Sequence, residues 1–320
     1  VLKIQGMFEI KLYNPSLENE WNRFVANGKN ATFLFDRRYM DYHHDRFTDS
    51  SLMFYRKGTL FALLPANRVD DVLYSHQGLT YGGLLMNKKA SAENIVELYK
   101  ELNDWLSAQG IVKVVYKAMP WIYHRLPAQE DLYALTEVCH AELSTREISS
   151  TIILNNRIKF AESRKSGLRK ALRSNLRFAK SDDLESFWNM LNNNLMTRHG
   201  VHPVHSLAEL QLLKSRFPDK ITLYLIYNIK GRPIAGTLIF DTGQVIHTQY
   251  IASTDEGKAE GALDLLFDKL INNNVYPSAL YFDFGKSTEN GGHYLNNNLI
   301  FQKEGFGGRG VCYDTYTWKV

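Results

Sequence analysis

One order of secondary-structure signals runs twice through the 320 residues, and this repetition narrows the fold more than any other feature. In the first half, LMFYRKGTLFALLPA reads as two strands around a Lys-Gly turn, followed by VLYSHQGLTYGG as a third strand. SAENIVELYKELNDWLSAQG then reads as a helix with Ser91 as N-cap. Its apolar residues Ile95, Leu98, Tyr99, Leu102, Trp105 and Leu106 recur at helical spacing. IVKVVYKAMP closes the set as a strand that Pro120 limits. The second half repeats the order: the hairpin LYLIYNIKGRPIAGTLIF, the strand QVIHTQYIAS, the helix GALDLLFDKLINNN and the strand ALYFDFGKS. The turn glycines Gly58 and Gly231 are 173 residues apart, and the strand histidines His76 and His247 are 171 apart.

This pattern predicts two related α/β domains, residues 7–147 and 148–320, with the junction where charged sequence gives way to the β-branched ISSTIIL. Hairpin strands followed by a crossover helix imply mixed sheets with helices on their faces, the last strand parallel to the one before the helix. Ligands bind beyond the strand ends of such sheets. Residues 1–6, ahead of Met7, carry no structural weight in this reading.

Composition supports a cored, folded chain: 44% of residues are hydrophobic and 12% aromatic, with a net charge of +4. The two cysteines, Cys139 and Cys312, make neither a disulfide framework nor a zinc set, so the expectation is a reducing cytoplasm and no metal. No apolar run approaches the ~18 residues that span a bilayer, so no integral membrane association is expected.

Charge is concentrated in RIKFAESRKSGLRKALRSNLRFAK, residues 157–180, with nine Arg or Lys against Glu162. A helix over 164–180 would stack Lys165, Arg169, Arg173 and Arg177 on one face, beside an apolar stripe of Leu168, Leu172 and Leu176 facing a core. Like charges at this spacing oppose one another, so either a solvated face or an anionic partner is expected. Phosphates of a nucleotide, a cofactor or RNA suit it; DNA is not called for, and few aromatics interleave for base stacking.

Other candidates are spread along the chain. His199, His202 and His205 are three apart, but Gly200 and Pro203 break any helix that would align them on a metal, and His205 is the best placed to touch substrate. His247 and Gln249 share one face of a strand by period two, with Tyr250 on the other. His76 and Tyr81 sit in a glycine-rich stretch where backbone can approach a ligand. Asp283, at a strand end, is either a loop anchor or a catalytic group; Lys286 and Ser287 follow it. There is no phosphate loop, no dinucleotide fingerprint and no nucleophile elbow.

RKSGLRKALRSNL, GRPIAGTLIF with YFDFG, KEGFG and YGGLL together resemble the FemAB-like family, including its BioF2-like members. That family has tandem acetyltransferase (GNAT) domains. KEGFG matches the closing Lys-x-x-Phe-Gly motif and puts Lys303 in the lysine position, which the sequence reading places in a final hairpin. The resemblance implies transfer of an acetyl or aminoacyl group to an amine. The acceptor is expected to be a small or nucleotide-linked amine, a precursor of cell-envelope polysaccharide or peptidoglycan, lying between the domains. Acyl-CoA and aminoacyl-tRNA both stay open as donors. The phosphate-binding turn keeps Gly257 and Ala259 but has Thr254 where the family has Gln or Arg. The helical arm of bridge-forming members is not visible.

On this basis Lys303 stabilises an oxyanion or a donor phosphate, and Asp283 or His247 handles the amine proton. Lys165, Arg169 and Arg173 neutralise phosphates. The alternative is a non-catalytic module that binds an anionic ligand on a degenerate fold.

Overall fold

The computed structural model describes residues 6–320; the side chain of His199 lies outside the described residues. Two compact units form. One holds the residues up to Glu147 with Gly291–His293 and Cys312–Val320; the other holds Ile148–Asn290 with Tyr294–Val311. The sequence reading grouped 312–320 with the second half. They fold with the first unit because Thr315–Lys319, in the strand Arg309–Lys319, pair antiparallel with Lys113–Lys117.

In the first unit the Lys-Gly hairpin forms as expected. Lys57 and Gly58 take positive φ between the strands Leu52–Arg56 and Thr59–Leu64. The hairpin belongs to a four-stranded antiparallel sheet with Glu9–Leu12 and Leu85–Met86. The third expected strand, Val72–Tyr74, joins a different sheet and runs parallel to Lys113–Lys117, with Tyr74 opposite Val115. The crossover between them is the helix Ala92–Ala108, which Ser91 caps by accepting the Asn94 N–H. Ile95, Leu98, Tyr99, Leu102 and Leu106 enter the core with Trp318, while Trp105 packs at its margin.

The second unit is built on a mixed sheet with helices on its faces, beside a small antiparallel pair, Thr288–Glu289 with Tyr294–Leu295. Arg177–Ser181, Ile221–Tyr227, Pro233–Asp241, Val245–Ser253, Tyr281–Lys286 and the end of Glu142–Ile153 follow in that order. Every neighbouring pair is antiparallel except Val245–Ser253 with Tyr281–Lys286. The helix Ala262–Asn272 links those two strands. It buries Leu265, Leu266, Phe267 and Leu270 against Ile234, Ile246 and Phe282. The parallel ladder is short: it ends at His247 opposite Asp283, although both strands continue. On its other side, Val245–Ser253 carries a bulge, where the ladder passes from Tyr250 to Thr248 and skips Gln249.

The basic segment is shorter than expected. Its helix spans Glu162–Arg173, and Asn175, at φ 52°, turns the chain into the strand Arg177–Ser181. The column of cations therefore stops at Arg173, and Arg177 sits over the Tyr227 ring. Nor does the leucine stripe face the core as a whole. Ala171 is buried and Leu168 packs beside it, but Leu172 is 54% exposed. At 3.6 residues per turn the face opposite the cations runs through 168 and 171, and 172 rotates outward.

Candidate active site

The chemistry of the second unit gathers where its two parallel strands part. Past the last paired residues, His247 and Asp283, the strands leave a cavity of about 220 Å³. Ile251, Ala252 and Ser253 line it from one strand and Phe284 from the other. Leu263, Phe267, Leu299 and Phe306 make an apolar floor, and Lys303 is in the wall. Arg198 and Lys258 line both this cavity and a neighbouring one of about 270 Å³, where Asp255 stands 2.6 Å from the Lys258 ammonium, so the apolar interior adjoins a charged mouth with two cations and one carboxylate.

Lys303 is not on a hairpin. It lies on the helix Asn297–Gly305, which Asn296 caps by accepting the Leu299 N–H. Its side chain is 5% exposed, and its ammonium donates to the carbonyls of Gly285 and Lys286, each at 2.8 Å. Two of its three N–H groups are thereby fixed, leaving one for the cavity that it lines. Burial pushes its pKa down to about 8, and the nearby Asp283 charge pulls the other way. Gly285 makes the turn that presents these carbonyls: its φ is +74°, and a Cβ there would stand 3.3 Å from His247 Cε1.

Asp283 is fully buried and anchors the sheet behind the cavity. Its carboxylate accepts from Ser149 Oγ, from Thr151 Oγ1 at 2.8 Å and from His247 Nδ1 at 2.9 Å. Of the two roles open to it, the geometry is that of the anchor: it fixes His247, and neither residue reaches the cavity wall. The expected assignment of the amine proton to either one therefore does not follow from their positions.

The remaining candidates scatter. Lys165 and Arg169 pair with Glu162 on their own helix, at 3.6 and 2.8 Å, and neither they nor Arg173 line the cavity. Gly257 is set by packing, because a Cβ there would stand 2.2 Å from Ile234 O, and its N–H already donates to Thr254 Oγ1. His205 is buried, with Nδ1 2.7 Å from the Tyr250 hydroxyl. Gln249 is the bulge residue, so the alternation that was to align it with His247 is interrupted. Lys286 is exposed, while Ser287 is buried and gives its N–H to Ile148 O. His76 and Tyr81 are buried in the first unit, Tyr81 against Thr32 and Tyr123. His202 Nδ1 lies 2.7 Å from Asn192. Among the described residues no group of three His, Cys, Asp or Glu could hold a metal, and no helix among them is long and apolar enough to cross a membrane.

Sequence reasoning missed Asn194, Arg198, Lys258 and Gln302, all of which line the cleft. Lys258 stood within TDEGKA, one position after the glycine that drew notice. The others gave no local signal.

Residues 159–294 match the family described as acetyltransferase (GNAT) domain. No curated protein matches the chain. Among solved structures, FemX superposes with a TM-score of 0.67 at 11% identity, covering 98% of this chain and 97% of its own. L-PGS from Bacillus licheniformis gives 0.61 at 13%, covering 98% and 93%. A tandem GNAT protein from the clavulanic acid biosynthesis pathway gives 0.51 at 11%, covering 98% of both. These likenesses are of fold.

Proposed function

We propose that this chain, which carries an acetyltransferase (GNAT) domain in the tandem GNAT fold shared with FemX, is an N-acyltransferase whose second unit holds the acyl donor in the cleft between its parted strands. The observation that carries the reading is Lys303, a buried cavity-lining lysine whose ammonium has two N–H groups fixed by backbone carbonyls.

The acyl arm of a thioester lies along the apolar floor of Phe267, Phe284 and Phe306, and donor phosphates meet Arg198 and Lys258 at the mouth. An unprotonated amine attacks the acyl carbon, and the carbonyl oxygen takes up negative charge. Lys303 donates to that oxygen, and its two carbonyl partners hold it in place beforehand. Collapse breaks the carbon–sulfur bond, and the proton shed by the amine leaves with the thiolate. Asp283 and His247 set the strand geometry from which Gly285 and Lys286 present their carbonyls.

The acceptor is an amine of the kind found on cell-envelope precursors, and acetyl-CoA is the first donor to test, with aminoacyl-tRNA as its rival. Thermal unfolding with acetyl-CoA at 100 times its Kd should gain about 2.7 kcal/mol in the wild type. Charge reversal at the mouth, Arg198→Glu, should remove most of that gain. Stabilisation by aminoacyl-tRNA alone would replace the donor; none from either would overturn the reading.

A further inference from the structure

The first unit carries a cavity of about 490 Å³ outside the matched domain. Tyr13, His43, Phe47 and His76 give it aromatic walls, and Arg37, Asp41 and Asp49 give it charge. Arg37 is buried but already committed. Its guanidinium lies 3.9 Å from the centre of the Tyr13 ring. It donates to Asp41 from Nε and Nη2, to Asp49 from Nη2, and to Ser51 Oγ and Met40 Sδ from Nη1. All five N–H groups are used, so none is left for an anionic ligand.

The carboxylates are different. Asp41 and Asp49 are 41% and 35% exposed, and two negative charges face one positive charge. The imidazoles of His43, His44 and His76 complete the ionisable lining. Burial pushes the His76 pKa down to about 3, so its ring is neutral at about pH 8. His76 is only 4% exposed, and its Nδ1 accepts the Gly78 N–H at 3.2 Å, which leaves the proton on Nε2. The cavity therefore offers surplus negative charge, aromatic walls and one N–H donor.

We infer that this cavity binds a small organic ammonium ion that also carries a hydroxyl. The cation is held by Asp41 and Asp49 against the aromatic walls, and the hydroxyl oxygen accepts from His76 Nε2. Organic cations desolvate more readily than metal ions, and an aromatic wall with adjoining carboxylates suits them. This inference is independent of the acyl-transfer reading.

The test is calorimetric titration of the full chain at about pH 8 and low salt with three probes: choline, its neutral carbon isostere 3,3-dimethyl-1-butanol, and inorganic phosphate. Choline should bind at least about tenfold more tightly than the isostere, a difference of about 1.4 kcal/mol, and salt should weaken it. Asp49→Asn should weaken choline about tenfold. Because that change also touches Arg37, Phe47→Leu provides a second arm that spares the ion pairs, with a loss of about threefold from the missing aromatic wall. Equal binding of choline and isostere, preference for phosphate, or no choline binding up to about 10 mM would each overturn the proposal.

Discussion

The two units solve the same local problem with a lysine, and they differ in what the lysine leaves open. Each has a short parallel pair joined by a crossover helix, and in each an ammonium binds backbone carbonyls near the end of that pair. In the first unit Lys117 donates to the carbonyls of His76, Gln77 and Leu79, at 3.3, 3.1 and 2.9 Å. Three acceptors take its three N–H groups and fasten the loop to the strand. In the second unit Lys303 has two carbonyls and a cavity. The last paired residues differ as well: Tyr74 with Val115 in one unit, His247 with Asp283 in the other. The same backbone pattern is sealed in the first case and open in the second, and of the two lysines only the one at the open end is buried.

Three changes sharpen this contrast. The largest effect on stability should come from Asp283→Asn, which takes a carboxylate from three buried donors: Ser149, Thr151 and His247. A loss of about 3 kcal/mol in denaturant unfolding is expected. Removing this charge also removes the one influence that raises the Lys303 pKa, so the alkaline limb of kcat should move to lower pH. An unchanged limb would separate Asp283 from Lys303.

Lys117→Met should cost about 2 kcal/mol of stability, since three carbonyls lose their donor, with kcat unchanged. A large fall in kcat would erase the distinction between the units.

The pH dependence of stability sharpens the contrast further. Lys303 titrates at about 8 in the folded chain, below its unfolded value of about 10.4. Between these values the unfolded chain binds the extra proton, so this residue makes stability rise with pH, by at most about 1.4 kcal/mol per unit. Turnover should fall over the same range as the ammonium is lost. Urea midpoints of wild type and Lys303→Met across that range should diverge; parallel curves would contradict the depressed pKa.

What the sequence disclosed follows from the range of each signal. The Lys-Gly turns and the helix capped by Ser91 are encoded within a few residues, so both were legible. Lys303 was legible through its motif, but its helix was not, because the glycines of FQKEGFGGRG read as a turn and the capping Asn296 lies upstream of them. Asp283 was legible as a carboxylate at a strand end, anchor or catalytic group, but its partners Ser149 and Thr151 lie more than 130 positions away. Arg198 and Gln302 come from separate helices whose convergence is a property of the packed unit. The basic helix was over-read because charge spacing continues through Arg177, whereas the backbone turns at Asn175.

Turnover of Lys303→Met with the acyl donor that stabilises the wild type tests the central claim most directly. The variant should remain folded and bind the donor, while kcat falls by about 10²–10³, the usual cost of losing one oxyanion donor. A folded Lys303→Met protein with wild-type kcat would contradict the account.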